Sequence, residues 1–258
     1  MKFVFFVFLL LYLGVLVYFY FTQDSKIFKP NDIEKREPIE VKNMKNISLH
    51  VNGDATLYGV YRKADKNDAK LILYFGGNSD DATRILLHVK SLKEFNFIAF
   101  NYRGFVKSSG KPTQKALFSD ALEIYDKYAK NRDVIVVGRS LGTGVASYLA
   151  SKRKVKGVIL ITPYDSIASM GKEKYPYLPI YMLLKHKFES IKYIQNVSAP
   201  IGLIEVKNDE VITKPHFDKL KSKVQNMALH VVFENTTHGE VLTHPDFETT
   251  LRKMINVM

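Results

Sequence analysis

The sequence predicts an α/β domain in which a mostly parallel sheet of eight strands is flanked by helices. Short runs rich in β-branched and aromatic residues have the length and composition of strands, at residues 47–51, 57–62, 70–75, 97–102, 134–138, 155–161, 201–206 and 228–233. Helical patterns separate the later runs, at residues 80–93, 114–130, 141–152, 213–223 and 245–257. Because parallel strands need crossover connections, this alternation indicates a sheet covered on both faces.

The first two strand-like runs are connected differently from the others. Asn52, Gly53 and Asp54 separate them, and an Asn-Gly pair between two such runs is typical of a tight hairpin turn. We therefore expect an antiparallel opening followed by parallel strands. Ligands of such sheets bind outside the carboxyl ends of the strands, which is where functional residues should lie.

The composition limits the classes of function. At 258 residues, with 46% hydrophobic and 25% charged residues, the chain is long enough for one large globular domain, and it is neither disordered nor a multi-span membrane protein. It contains no cysteine, which excludes disulfides, thiolate metal ligands and a cysteine nucleophile. The histidine and aspartate spacings give no metal-ligand pattern, so neither a metal nor another cofactor is expected.

The N-terminus predicts a membrane anchor. Residues 3–21 form an uncharged apolar and aromatic run, close to the ~20 residues that a spanning helix needs. We therefore divide the chain into a transmembrane anchor at 1–22, a polar linker at 23–46 and a catalytic domain at 47–258. A cleaved signal peptide is the alternative, but its apolar core is usually shorter and ends at a small-residue cleavage site.

The net charge of +12 favours an anionic partner surface, either nucleic acid or acidic phospholipid. Only charge supports nucleic acid, so we expect no nucleic-acid partner and a single-pass protein whose partner is the lipid bilayer. Lys2 precedes the apolar run, whereas Lys26, Lys29, Lys35 and Arg36 follow it. This asymmetry favours a cytoplasmic domain, but large domains can override the rule, so the side of the membrane stays open.

Ser140 is the candidate nucleophile. It lies in Gly-Arg-Ser-Leu-Gly, between a predicted strand and a predicted helix, with Gly138 and Gly142 two residues away on either side. A sharp strand-to-helix turn needs glycines at these positions. The turn exposes the serine hydroxyl beside the backbone N–H of Leu141, at the helix N-terminus, where a developing negative charge is stabilised. The alternative is a glycine-rich connection with a capping serine.

A serine nucleophile needs a base, and the base needs an orienting carboxylate. On sheets of this kind the order along the chain is serine, acid, histidine. Asp209 follows the strand at 201–206, and His238 follows the strand at 228–233. We therefore predict Ser140, Asp209 and His238 as a catalytic triad. Asp165 as the acid and His244 as the base are the alternatives.

A second oxyanion donor should come from the loop after the third strand. This loop begins Gly76-Gly77-Asn78, and two glycines allow a backbone N–H to turn towards an oxyanion. We predict the Asn78 amide as this donor. The alternative is that the two glycines only end the strand.

Several ordered motifs from about residue 45 to the end resemble the α/β-hydrolase superfamily, most closely the membrane-anchored Bem46-like serine hydrolases, relatives of protein depalmitoylases. They read LYFGGNSDD, NYRGFVKSSGKPT, VVGRSLGTGVA, YPYLPIYMLLKHKFESIKYI, APIGLIEVKNDEV and NTTHGE. The resemblance implies Ser140 as nucleophile, Asp209 as acid, His238 as base, and the amides of Asn78 and Leu141 as the oxyanion hole.

The sequence departs from that family at three places. Gly76-Gly77 and Glu205-Val206 each stand where the family has His-Gly, and Val106 replaces the second glycine of the family's Arg-Gly-Phe-Gly loop. None of these changes touches the predicted triad. The Val106 replacement suggests a differently shaped loop.

The insertion at 163–199 is rich in Tyr, Pro and Leu and carries Lys185, His186 and Lys187, so we interpret it as a cap. An apolar cap beside a membrane suits acyl substrates, although its aromatic residues could simply pack on the core. The sequence thus predicts a membrane-anchored serine hydrolase of carboxylic esters or thioesters, of the carboxylesterase, thioesterase or lipase type. A membrane-bound serine peptidase and a non-catalytic lipid- or protein-binding module are the alternatives.

Overall fold

The computed structural model describes residues 1–30, 39–52 and 55–258. Within these ranges eight strands form one sheet in the order β1-β2-β4-β3-β5-β6-β7-β8. The strands are β1 Met44–Val51, β2 Ala55–Arg62, β3 Leu71–Phe75, β4 Asn96–Phe100, β5 Val134–Arg139, β6 Gly157–Ile161, β7 Ile201–Val206 and β8 Met227–Phe233.

Nine α-helices are described in these ranges. They are α1 Lys2–Ile27, α2 Ile85–His88, α3 Gln114–Tyr128, α4 Leu141–Lys152, α5 Ile167–Lys174, α6 Ile180–Leu183, α7 Ser190–Ile194, α8 Lys214–Lys221 and α9 Phe247–Asn256. Short 3₁₀ turns are described at Ala82–Arg84 and Val241–Thr243.

The sheet topology confirms the predicted α/β class. β2 is antiparallel to both of its neighbours, β1 and β4, and every pairing from β4 to β8 is parallel. The predicted hairpin turn at Gly53 and Asp54 lies outside the described residues. The parallel strands all end at the same edge of the sheet, which brings their following loops together.

Two apolar cores lie on opposite faces of the sheet. In β5, Val134 and Val136 belong to one core, and Ile135 and Val137 belong to the other, because successive side chains of a strand alternate between faces. Helices α3, α4, α7 and α8 cover the first face, and α2 and α9 cover the second. All residues of the central strands β3, β5 and β6 are buried, as the near-continuous apolar runs predict for strands covered on both faces.

The prediction of a helix over residues 80–93 is wrong in extent, because α2 ends at His88. Arg62 explains the difference. Its guanidinium is buried beneath this segment and donates to the carbonyls of Val89 at 2.8 Å and Leu92 at 2.6 Å. These bonds keep the backbone after His88 in an irregular path that lets Leu92 reach the core.

Helix α1 is long and apolar enough to cross a membrane, a property that signal sequences share. Its 26 residues extend about 39 Å at the usual rise per residue. The helix continues to Ile27 and β1 begins at Met44, so regular structure enters both ends of the segment expected to be a linker. Residues 31–38 of that segment lie outside the described ranges. The predicted cap region forms the three short helices α5, α6 and α7 between β6 and β7.

Val106 lies in the loop between β4 and α3 and is 48% exposed. Its φ of +52° is in the left-handed region, where a β-branched side chain is strained and glycine is not. The backbone at Val106 therefore has the conformation that favours glycine, although the sequence has valine where the family has glycine.

We expect Val106→Gly to raise the free energy of unfolding by about 0.5–1 kcal/mol, because relief of the left-handed strain outweighs the added backbone entropy. Chemical denaturation measures this change. Val232→Gly is the control, since Val232 is 41% exposed in strand β8, and this substitution should lower stability. A loss of stability in Val106→Gly would contradict the strain argument.

Candidate active site

Ser140 occupies a strained turn between β5 and α4. Its φ is +49° and its ψ is −119°, and its backbone N–H donates to the carbonyl of Ile161 at 3.0 Å. The two flanking glycines allow this turn. A Cβ on Gly138 would lie 2.4 Å from the carbonyl oxygen of Gly142, and a Cβ on Gly142 would lie 2.2 Å from that of Phe75. The turn therefore requires glycine at both positions.

The structure brings the three predicted triad residues together. The Ser140 hydroxyl donates to His238 Nε2 at 2.9 Å, and His238 Nδ1 lies 2.8 Å from Asp209 Oδ2. A carboxylate next to Nδ1 keeps the proton on that nitrogen, so Nε2 is free to accept the serine proton. The serine and the histidine are both buried, at 9% and 8% exposure, so little bulk water competes for these bonds.

Backbone groups hold the acid and the base in place. Asp209 Oδ1 accepts from the amides of Val211 at 2.8 Å and Ile212 at 2.7 Å, which leaves Oδ2 for the imidazole. The amide of His238 donates to Glu210 Oε2 at 3.1 Å. The imidazole and the backbone amide of His238 thus both join the loop after β8 to the loop after β7.

The alternative partners lie elsewhere. Asp165 Oδ1 is 2.7 Å from His216 Nδ1, and its Oδ2 is 2.8 Å from the ammonium of Lys219. Burial alone would raise the pKa of Asp165, but the hydrogen bond from Lys219 and that from the Ser166 amide hold the pKa below its usual value. His244 stacks on the Phe233 ring with centroids 4.1 Å apart. Neither residue takes part in the relay to Ser140.

The predicted oxyanion loop borders the serine. Leu141 is the first residue of α4, and Asn78 lines the same pocket as Ser140 and Leu141. The loop is fixed from several sides: the Tyr102 hydroxyl donates to the Gly76 carbonyl at 2.9 Å, and the Lys29 amide donates to the Asn78 carbonyl at 2.9 Å.

An ion pair that the sequence analysis missed connects this loop to the histidine. Arg139 Nη1 donates to Asp80 at 2.6 and 2.7 Å, and Nη2 donates to the carbonyls of His238 at 2.9 Å and Gly239 at 3.2 Å. Asp80 also accepts from the Gly77 amide at 2.6 Å. Burial is the largest influence on the pKa of Arg139 and would lower it, but the charge of Asp80, the hydrogen bond to Asp80 and the neighbouring Tyr74 and Asp209 together raise that pKa above its usual value.

A signal for this pair is present in the sequence. An arginine at the end of a fully apolar strand must be buried with it, and a buried guanidinium requires a carboxylate partner. Asp80 and Asp81, in the loop after the neighbouring strand β3, were the available partners.

The site opens into a pocket of about 1180 Å³. Ser140 and His238 line the pocket together with residues of the cap helix α5. The N-terminal helix α1 contributes Phe19, Gln23 and Ile27 to the pocket wall. The helix expected to act as an anchor therefore also forms part of the pocket wall. In the described part of the chain, no group of three or more His, Cys, Asp or Glu side chains is arranged to hold a metal ion.

Known proteins resemble this chain in sequence and in fold. The family described as "alpha/beta hydrolase fold" matches residues 75–188. The uncharacterized protein Rv2307c of Mycobacterium tuberculosis is 28% identical over 179 residues, which cover 66% of this chain and 63% of that protein. The lysophosphatidylserine lipase ABHD12 of Danio rerio is 27% identical over 179 residues, covering 59% of this chain and 46% of the lipase. The chain thus spans less than two thirds of the length of these relatives.

A solved structure supports the same fold. The alpha-beta hydrolase of Vibrio vulnificus superposes with a TM-score of 0.72 over 92% of both chains, at 16% identity. At this identity the likeness concerns the fold alone.

We expect Asp80→Asn to lower the free energy of unfolding by about 3–5 kcal/mol, because it leaves the buried Arg139 without an anionic partner. Chemical denaturation measures the loss. The matched control is Asp126→Asn, which breaks the more exposed pair of Asp126 with Arg153 and should cost less than about 1 kcal/mol. Equal losses in the two variants would contradict the role given to Arg139 and Asp80.

Proposed function

We propose that the chain, which matches the α/β-hydrolase family over residues 75–188 and shares its fold, is a membrane-anchored serine hydrolase that cleaves carboxylic ester or thioester bonds of acyl substrates. The observation that carries this proposal is the continuous hydrogen-bonded relay from Asp209 through His238 to Ser140 at the base of a large pocket. A binding module would have no need of this relay.

The proposed mechanism uses each member of the relay. Ser140 Oγ attacks the acyl carbonyl while His238 Nε2 takes the serine proton, and Asp209 stabilises the imidazolium that forms. The amides of Asn78 and Leu141 stabilise the oxyanion, helped by the N-terminus of α4. His238 then protonates the leaving alcohol or thiol, and water, activated by the same imidazole, hydrolyses the acyl-enzyme.

Two features favour acyl substrates. The pocket wall contributed by α1 and the cap is largely apolar, with Phe19, Ile27, Ile167, Met170 and Leu184 among its residues. The relative from Danio rerio is named as a lipase, so an enzyme of this kind acts on a lipid. A serine peptidase would use the same three catalytic residues, and the ester experiment below separates the two activities.

We expect a fluorophosphonate probe to label the full chain, and Ser140→Ala to abolish the labelling. His238→Ala should slow labelling by about 10²–10⁴-fold, because the serine loses its general base. Ser151→Ala, on the helix that follows the nucleophile, is the control and should be labelled normally. Labelling of Ser140→Ala at another residue would refute the assignment of the nucleophile.

We further expect kcat/KM for a series of p-nitrophenyl esters to rise with acyl length until the pocket is filled. Each buried methylene contributes at most about fourfold, from the transfer free energy of ~0.8 kcal/mol. Matched peptide amides should be turned over far more slowly. An acyl-length profile that is flat, or a preference for the amides, would argue against an acyl esterase and in favour of the peptidase.

A further inference from the structure

The cap carries an apolar segment that is exposed. Residues 175–184, which we call the cap tip, read Tyr-Pro-Tyr-Leu-Pro-Ile-Tyr-Met-Leu-Leu and contain no charged side chain. Tyr177 is 89% exposed, Met182 is 87% exposed and Tyr181 is 50% exposed. Large apolar side chains grouped on a surface mark an interaction site.

The cap tip runs along α1. The Tyr12 hydroxyl donates to the carbonyl of Tyr177 at 2.9 Å, and the Phe19 ring packs edge-on against Tyr175 with centroids 5.1 Å apart. Further along the helix, Gln23 joins the end of the cap tip. From Tyr12 to Gln23 the helix rises about 16 Å, so the contact is extended and not a single crossing point.

Gln23 is 1% exposed, and both atoms of its amide are hydrogen-bonded to the cap backbone. Its Nε2 donates to the carbonyl of Leu183 at 3.0 Å, and its Oε1 accepts from the amide of Lys185 at 2.7 Å. A buried amide satisfied in this way fixes the cap tip against α1.

These contacts determine the depth of the cap tip. Tyr12 is the central residue of the apolar run at 3–21, which is about as long as the hydrocarbon core of a bilayer is thick. A spanning α1 therefore carries the Tyr177 carbonyl to the level of the acyl chains. The cap tip suits this position, because it has no charge, Pro176 and Pro179 have no N–H group, and the Tyr177 carbonyl is satisfied by Tyr12.

Lysines border the apolar surfaces. Lys172 and Lys174 precede the cap tip, Lys185 follows it, and Lys26 lies near the end of α1, all of them exposed. The Lys185 ammonium is 4.3 Å from the centroid of the Tyr20 ring. Aromatic rings and lysines together are typical of the headgroup region, where cations are attracted to acidic lipids.

We propose that the cap tip inserts into the bilayer beside α1, and that the pocket above Ser140 opens to the acyl-chain layer, so that a membrane-resident acyl ester reaches the serine from the side. Three residues of the contact between α1 and the cap, Phe19, Gln23 and Tyr175, also line the pocket, as does Leu184 at the end of the cap tip. Just after α1, the Lys29 amide donates to the Asn78 carbonyl and so joins this end of the helix to the oxyanion loop. The inference rests on the proposed anchoring and hydrolase activity.

The first experiment measures the depth of the cap tip. The chain has no tryptophan, so all tryptophan fluorescence of a variant comes from the one tryptophan that the substitution introduces. The full-length variant Tyr177→Trp is reconstituted into phosphatidylcholine vesicles with and without bromine on the acyl chains. Leu11→Trp reports on the anchor, and Tyr58→Trp, 43% exposed on strand β2, reports on the domain surface.

We expect the brominated chains to quench most of the emission of Tyr177→Trp and Leu11→Trp and to leave the emission of Tyr58→Trp unquenched. Quenching of Leu11→Trp without quenching of Tyr177→Trp would overturn the insertion while leaving the anchor intact. An unquenched Leu11→Trp would overturn the anchor and the insertion together. Fluorophosphonate labelling of the same samples tests the hydrolase independently of either result.

The second experiment measures access to the pocket. Tyr177→Asp places a charge at the proposed acyl level, and Tyr177 does not line the pocket. Hydrolysis of a long-chain ester held in vesicles should fall by about tenfold or more, while hydrolysis of soluble p-nitrophenyl acetate stays unchanged. The control is Val232→Asp, 41% exposed on strand β8, which should affect neither ester. An equal loss on both esters in Tyr177→Asp, or no loss on either, contradicts the proposal.

Discussion

The close contact between the backbones of β5, α4 and β3 is the constraint on which the candidate site depends. Gly138, Gly142 and Phe75 approach so closely that no side chain fits between them. This contact brings the N-terminus of α4 to the edge of the sheet, and it forces Ser140 into a left-handed conformation. The strained serine is thereby held at hydrogen-bonding distance from His238.

Around this turn, one buried guanidinium joins the end of one strand to the loops that follow two others. Arg139 belongs to β5, its partner Asp80 follows β3, and the carbonyls of His238 and Gly239 follow β8. Hydrogen bonds to a charged group are stronger than neutral ones, and the buried charge makes their loss costly. The relative position of the oxyanion loop and the imidazole therefore depends on an ion pair outside the triad.

Much of the fold and of the candidate site could be predicted from local patterns. The central strands are apolar throughout because both of their faces are covered. The carboxyl ends of parallel strands meet at one edge of the sheet. The proximity of Asp209 and His238 could therefore be predicted, because each residue follows a strand. The features that were missed depend on contacts between segments far apart in sequence. Arg62 shortened the predicted helix at 80–93 by binding the carbonyls of Val89 and Leu92.

Periodicity likewise cannot say what a helix packs against. The apolar run of α1 indicates a spanning helix, but nothing in its pattern indicates that Gln23 is satisfied by the cap backbone. The pairing of Asp165 with His216, which removes Asp165 from the candidate acids, joins two segments separated by helices α5, α6 and α7 and strand β7. These features follow from tertiary packing and are visible only in three dimensions.

The place of α1 in the pocket wall has a practical consequence for measurements of ligand binding. A water-soluble fragment made by trimming this helix would lose the apolar wall of Phe19 and Ile27 and leave the Leu183 carbonyl and the Lys185 amide of the cap without Gln23. Its cleft would be wider and wetter than that of the intact protein. Selectivity and inhibitor potency measured on such a fragment would describe a different binding surface, so ligand screening should be performed on the full chain in detergent or nanodiscs.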